Sequence, residues 1–441
     1  MKKTILITFL MLILMSLGSF ATDTRVLTMG ENGMILKDDA NIWLFPSQIN
    51  YYPNILTAEI CYVDEYIYYP KSNGYDYAQD AVTRLGINWK FGGDNPWVLG
   101  TYFHNNAENY DFMLDQANIL PSTTIMPWHG PYWYDYDMSY SNKRFDLFWG
   151  KMLGENAFGV HFGMIHSSYK HETPNDRGER GFGKYDFHVG TTMMEGKLDL
   201  AAGIELFSYT YKNTYLSPDT GNYEYYKPQG NSTIFVRGRY FHEYSPVYTF
   251  VPHAEFRIGK YEYDQNDWVA ADTTAELDYS RKYNATLFDL GIGMHYTPAT
   301  KVLAVIDVGF MYMNLKEEYT EVVDEDSTET DEEKWSYTML PYFKIGLEAE
   351  VFSWMDLRLG ATSYWTKYTN EETDFDEETE KYYEKYPYNQ TYLGLGLNFN
   401  RLHIDCYVDP ELFMDGFYFI SGTDSKYMGM NFQISAKYDM F

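Results

Sequence analysis

Between Lys184 and Leu206 the chain reads KYDFHVGTTMMEGKLDLAAGIEL, with apolar side chains on every second position. Tyr185, Phe187, Val189, Thr191 and Met193 alternate with Lys184, Asp186, His188, Gly190 and Thr192. After Met194-Glu195-Gly196 the parity flips, and Leu198, Leu200, Ala202, Ile204 and Leu206 carry the apolar face. A period of two sends successive side chains to opposite faces of a strand. The stretch therefore predicts an antiparallel hairpin with one oily and one polar face.

The same alternation recurs from Ile55 to the C-terminus. It predicts strands near 55–66, 84–91, 97–104, 143–151, 157–165, 184–193, 198–206, 234–241, 247–259, 287–296, 302–313, 338–351, 355–365, 392–399, 402–408 and 428–441. The links between them are alternately short and long. Residues 92–96, 153–156, 194–196, 242–246, 298–301 and 352–354 make the short set, and 105–142, 167–182, 209–232, 260–285, 316–336 and 367–390 the long one. Short turns on one rim and long loops on the other are the pattern of a transmembrane antiparallel up-and-down β-barrel, here of about 16 strands. A count of 14 is open, because the third strand and the stretch 411–420 alternate weakly. An even count returns the C-terminus to the side of the N-terminus.

Composition sharpens this reading. Aromatic residues make up 19% of the chain, with 45 tyrosines. No stretch after the N-terminus approaches the run of about 18 apolar residues that a membrane helix needs. A barrel needs only alternate apolar residues, so it escapes that test. The N-terminus, MKKTILITFLMLILMSLGSFA, has a basic start, an apolar run and a small-residue end, so residues 1–21 read as a cleaved signal peptide. A formal charge of −29 argues against nucleic acid as a partner. Cys61 and Cys406 fall on opposite faces of their strands, which argues against a disulfide.

Residues 22–54 lack strong alternation and read TRVLTMGENGMILKDDANIWLFPSQINYYPN from Thr24. This segment resembles the N-terminus of the long-chain fatty acid transporter family, where Arg-x-Leu-x-Met-Gly precedes Asp-Asp-Ala and an aromatic-Asn-Pro. The matching residues are Arg25, Leu27, Met29, Gly30, Asp38, Asp39, Ala40 and the run from Trp43 to Pro46. The sequence departs from that pattern in lacking Gly-Gly-Ala after Met29 and in having Phe45 before Pro46. The resemblance implies a segment folded into the lumen as a plug; a periplasmic tail is the alternative. The barrel then occupies 55–441. At its end Met430, Phe432, Ile434, Ala436, Tyr438 and Met440 alternate, with Phe441 terminal but out of phase.

The polar parity, which must avoid lipid, carries charges of both signs: Arg84, Arg144, Arg237, Arg239, Glu255, Arg257, Lys344, Glu348, Asp356 and Arg358. They predict either a hydrated pore with a transverse field or a closed lumen filled with ion pairs. The acidic stretches from Lys316 and Asn370 could bind divalent ions or bridge to lipopolysaccharide, but lack the order of a calcium loop; solvated mobile loops are expected. PWHGPYWYDYDMSY from Pro127 suits an interfacial aromatic belt, or a constriction. His166, Ser167 and His171 are the only hint of hydrolysis and show no orienting acid, so no catalytic residues are assigned and no enzyme is expected. No Gly-rich phosphate loop, CxxC pair or zinc helix appears, so no cofactor and no metal are assigned.

The sequence thus predicts an exported outer-membrane porin-like channel for passive passage of small solutes. Its partners would be outer-membrane lipid, lipopolysaccharide and the barrel-assembly machinery. A plugged, fatty-acid-transporter-like conduit for hydrophobic molecules and a closed barrel serving as adhesin or scaffold are the alternatives. Nothing in the sequence marks an oligomer face.

Overall fold

A computed structural model describes residues 23–69, 74–93, 96–105, 143–173, 176–216, 221–228, 230–269, 276–324, 327–373, 379–408 and 432–440. Residues 1–21, read above as a signal peptide, the Pro127 aromatic stretch, the stretch 411–420 and Phe441 lie outside them. The chain is a closed antiparallel barrel of 16 strands. In order these are β1 (Ile55–Tyr69), β2 (Gly74–Phe91), β3 (Trp97–Asn105), β4 (Lys143–Leu153), β5 (Asn156–Thr173), β6 (Asp176–Met193) and β7 (Leu198–Leu216). Strand β8 is broken into Gly221–Pro228, Asn231–Tyr240 and His242–Ser245. There follow β9 (Tyr248–Val269), β10 (Glu276–Ala299), β11 (Val302–Asp324), β12 (Ser327–Phe352), β13 (Met355–Thr373), β14 (Thr379–Phe399), β15 (Leu402–Val408) and β16 (Phe432–Asp439). Each strand pairs with its chain neighbours, and β1 closes on β16 from Ile55↔Asp439 to Tyr62↔Phe432. Closure leaves no edge of unpaired N–H and C=O groups, which a bilayer would penalise heavily.

The parity read from the sequence holds. Phe187, Val189, Leu200, Ile204, Phe256, Leu290, Ile292, Ile345 and Leu359 stand exposed on the outer face. Asp186, His188, Asp199, Arg237, Arg239 and Glu255, each one position away in register, are buried inside. At the short-turn rim Met194, Glu195 and Gly196 all have positive φ.

One expectation is corrected. Where the long connections fall among the described residues, they are largely β ladder rather than mobile loop. The β11–β12 pairing runs on to Asp324↔Ser327, and β13–β14 to Thr373↔Thr379. Tyr and Thr favour extended backbone, and outside lipid a strand needs no apolar face. Cross-strand partners complete the ladder: Lys282 with Glu318 (2.7 Å), Lys381 with Glu371 (2.9 Å), and Tyr364 stacked on Tyr388 at 4.6 Å between centroids. The segment 166–171 likewise lies within β5.

The division into belt and extension is testable. Ile292 (52% exposed) sits within the lipid-facing belt, whereas Tyr383 (71% exposed) lies far along the extension. Ile292→Lys should cost about 2–4 kcal/mol in equilibrium urea unfolding from lipid vesicles. Tyr383→Lys should leave the unfolding curve unmoved.

Candidate functional site: the N-terminal segment seated in the lumen

The N-terminal segment occupies the interior of the barrel. Helix α1 (Asp23–Thr28) ends where Gly30 takes φ +75° and Glu31 φ 58°. Gly30 is required twice over: for its left-handed backbone, and because a Cβ would lie 2.9 Å from the Ala361 carbonyl oxygen. Asp38 and Asn41 then open helix α2 (Asn41–Leu44). The Asp38 carboxylate accepts the Ala40 N–H (3.3 Å), and the Asn41 side chain accepts the Asp38 N–H (2.9 Å). Pro46 begins a 3₁₀ turn to Tyr51, a position where its missing N–H costs nothing.

Apolar side chains of this segment complete the barrel's interior. Val26, Met29, Ile35, Leu36 and Ala40 pack with Phe241, Val251 and Val305 of the wall. Ile42, Trp43 and Ile49 pack with Val98, Tyr102 and Phe148. The Trp43 ring stands edge-on to Phe148 at 4.8 Å and to Tyr102 at 5.2 Å, with the Arg84 and Arg144 guanidinium groups each 5.3 Å from its centre.

The wall is hollowed to receive it. Gly346, Gly360, Gly394, Gly293 and Gly159 face inward a few residues above the short turns. A Cβ at any of them would run into Met29, Gly30, Thr28, Ile35 or Pro46 respectively. The segment therefore lies at the short-turn rim.

Polar contacts then fasten the segment around the whole circumference. Arg239 is the central clamp: it pairs with Asp199 (2.8 Å) and donates to the carbonyls of Gly33 (3.2 Å), Met34 (3.1 Å) and Leu36 (2.6 Å) and to Asn41 Oδ1 (2.9 Å). Opposite it, Arg25 forks onto both Glu348 oxygens (2.8 Å each) and reaches Asp38 (2.6 Å). Arg358 joins the same Glu348 (2.6 Å) and Asp405. Further contacts are Gln48 to Asp199 (2.6 Å), Ser47 with Thr192 (2.8 Å), His295 to the Ile35 carbonyl (2.9 Å), Thr362 to the Gly30 carbonyl (3.1 Å), and Thr24 with Ser435.

The structure thus brings Arg25, Met29, Gly30, Asp38, Asp39 and Pro46 together inside the lumen. It also places the ten charged residues singled out in the sequence on the inner face, though not as free charges along an open channel. Arg84, Arg144, Arg237, Arg239, Glu255, Arg257 and Arg358 are buried. Arg84 pairs with Glu59, Arg144 with Asp146 (2.9 Å), and Arg237 (3.2 Å) and Arg257 (3.0 Å) with Glu255. Lys344 donates to the Glu31 carbonyl (3.3 Å), and Asp356 accepts from Asn398 (2.7 Å). Charges withdrawn from water must be paired, which is why the transverse field expected of an open pore is neutralised here.

Above the clamps the inner wall changes character. Ala285 and Leu287 pack with Met311, Met313 and Leu315 on β10 and β11. Tyr337 and Tyr368 face each other at 5.0 Å on β12 and β13, beside the Tyr364–Tyr388 stack. At the foot of this apolar strip a cavity of about 50 Å³ lies between segment and wall, lined by Val26, Met34, Leu44, Leu287, Met311 and Tyr342 and equally by Glu31, His253, Glu255, Asp289, Asp307 and Lys344. The sequence reading missed this strip because Met and Tyr sit there on the parity assigned to polar residues. It also missed the glycine seats, whose only signal is glycine at inward parity near short turns.

No family profile and no curated protein matches the chain. Among solved structures it is similar to the Ralstonia pickettii toluene transporter TbuX (9% identity, 96% of this chain and 97% of that one, TM-score 0.40). It is similar also to the CymD monoaromatic hydrocarbon channel (9%, 96% and 98%, TM-score 0.38) and to the ferric yersiniabactin uptake receptor FyuA from Yersinia pestis (7%, 88% and 80%, TM-score 0.39).

Removing the central clamp should free the segment without opening the barrel. Breaking a buried ion pair costs about 3–5 kcal/mol, so Arg239→Ala should raise hydrogen exchange across residues 23–52 by about 100-fold or more. The heat-modifiable migration of the barrel should persist. Gly360→Val should do the same by steric exclusion.

Proposed function

We propose that the protein is an outer-membrane transport barrel for small apolar molecules, closed at its short-turn rim by its own N-terminal segment. The observation that carries this reading is the seating of residues 24–50 in the lumen. They are fastened by Arg239, Arg25 and Glu348, and the wall carries glycine wherever they pass closest. A solute reaching the periplasm must go past or through that seat, so passage depends on a rearrangement of the segment. The strip of Leu287, Met311, Met313 and Leu315 with Tyr337 and Tyr368 supports an apolar cargo. Export through residues 1–21, insertion by the barrel-assembly machinery and contact with lipopolysaccharide belong to the same reading, which assigns no catalytic role.

An open porin is the second reading, favoured by the two-signed inner face. The buried and paired state of Arg84, Arg144, Arg237 and Arg257 speaks against it.

Planar-bilayer conductance separates the two. The intact protein should carry little steady current, and deletion of residues 22–54 should open it. Thr24 and Ser435 touch, so Thr24→Cys with Ser435→Cys, in a chain with Cys61 and Cys406 changed to Ser, provides a lock. Oxidation should stop uptake of an apolar probe into liposomes, and reduction should restore it. A stable current from the intact protein, unchanged by deletion or lock, would refute the plugged reading.

A further inference from the structure

Asp186 and His188 on β6 and Glu205 on β7 point at one another within the inner wall. One ligand atom from each lies within 4.8 Å of the others, and all three residues are essentially unexposed. Asp186 and Glu205 are directly opposed across the ladder, and His188 is one inward position along. Neither Asp186 oxygen, nor His188 Nε2, nor Glu205 Oε1 has a hydrogen-bond partner. Room for the cluster comes from Gly163, where a Cβ would lie 3.0 Å from Asp186 Oδ2 and 2.7 Å from Asp146 Oδ1.

The tautomer of His188 follows from its neighbours. His161 Nε2 is 2.8 Å from Asp146 Oδ1, and a carboxylate only accepts, so that nitrogen carries the proton. His161 Nδ1 lies 3.1 Å from His188 Nδ1. The tautomer of His188 that donates across this contact keeps its Nε2 lone pair, facing Glu205 Oε1 3.7 Å away. One imidazole and two carboxylates thus converge on a small volume, with the carboxylates held at ion-pair range by Lys184 and Arg144 rather than by hydrogen bonds, so a divalent ion would take the place that the Lys184 ammonium now fills. A carboxylate–histidine relay behind the ligating imidazole is the usual support of a metal-bound histidine.

We propose that Asp186, His188 and Glu205 form a binding site for a divalent first-row transition ion such as zinc, with a fourth position left open. Bonds of about 2 Å require each ligand atom to move inward by less than about 1 Å. The ion enters by exchange with Lys184, whose ammonium lies 3.3 Å from Asp186 Oδ1 and 3.5 Å from Glu205 Oε2. Lys184 stands on the long-loop side of the cluster, so the ion arrives from that side. Arg144, 3.3 Å from Asp186 Oδ2, and Arg257, 4.0 Å from Glu205, remain in place. Their charges are shared with Asp146 and Glu255, and they moderate the affinity.

The test is a Co²⁺ titration of the refolded, untagged, EDTA-stripped full chain, followed by visible absorption and reversed with Zn²⁺. The expected result is one equivalent per chain with ligand-field bands. Binding should weaken at least tenfold in His188→Ala and Glu205→Gln, and tighten at least tenfold in Lys184→Met, each with heat-modifiable migration intact. Lys184→Met keeps every ligand, so it tests the site even where a ligand deletion disturbs folding. Absence of bands in both the intact chain and Lys184→Met would overturn the proposal. So would bands that persist undiminished in a folded His188→Ala variant.

Discussion

A guanidinium with almost no exposed surface must be surrounded by acceptors, because desolvating it unpaired costs more than a fold can supply. Arg239 sits on the inner wall in that position, and the wall supplies it with a single carboxylate, Asp199. The other acceptors are three carbonyls and one amide oxygen of the N-terminal segment. Barrel and segment are thus mutually dependent. Without the segment, Arg239 lacks most of its partners; without Arg239, a chain turn with exposed carbonyls lies buried in the lumen. The Arg25–Glu348–Arg358–Asp405 network imposes the same condition on the other side of the barrel.

Shape and charge act together in this seat. Glycines at the points of closest approach let backbone meet backbone, so the segment lies flush with the wall. Trp43, Ile49 and Met29 fill the remaining width with side chains. Above the seat the inner face carries ion pairs on β4 to β9 and an apolar strip on β10 and β11, with Tyr337 and Tyr368 beside it on β12 and β13.

Much of this was legible in the sequence, for a stated reason. A membrane barrel must alternate everywhere, so sixteen strands and the inward direction of Arg237 or Glu255 follow from a period of two. The signature from Arg25 to Pro46 could be noticed as a motif, yet its partners could not. Arg25 and Glu348 lie 323 positions apart, and no local pattern links them. Alternation stops being diagnostic once strands leave the bilayer, where both faces meet water. The acidic stretches from Lys316 and Asn370 therefore looked like loops although they pair as ladders. Likewise, charge on the inner face does not distinguish a wet pore from a filled one, since both keep charge from lipid; what fills the lumen decides it.

The continuation of the ladders past the lipid belt has a consequence for how a molecule meets the protein. Strand β12 has 26 residues, or about 85 Å of extended chain at roughly 3.3 Å per residue, against an apolar band about 25 Å tall. Even with strand tilt, the β11 to β14 sector rises as a chimney some tens of ångströms above the membrane surface. The acid-rich upper ends of its strands set a potential that reaches about 8 Å into physiological salt. That potential repels anions and leaves neutral molecules unaffected. A charged molecule would therefore meet this field well before the seat where Arg239 holds the N-terminal segment.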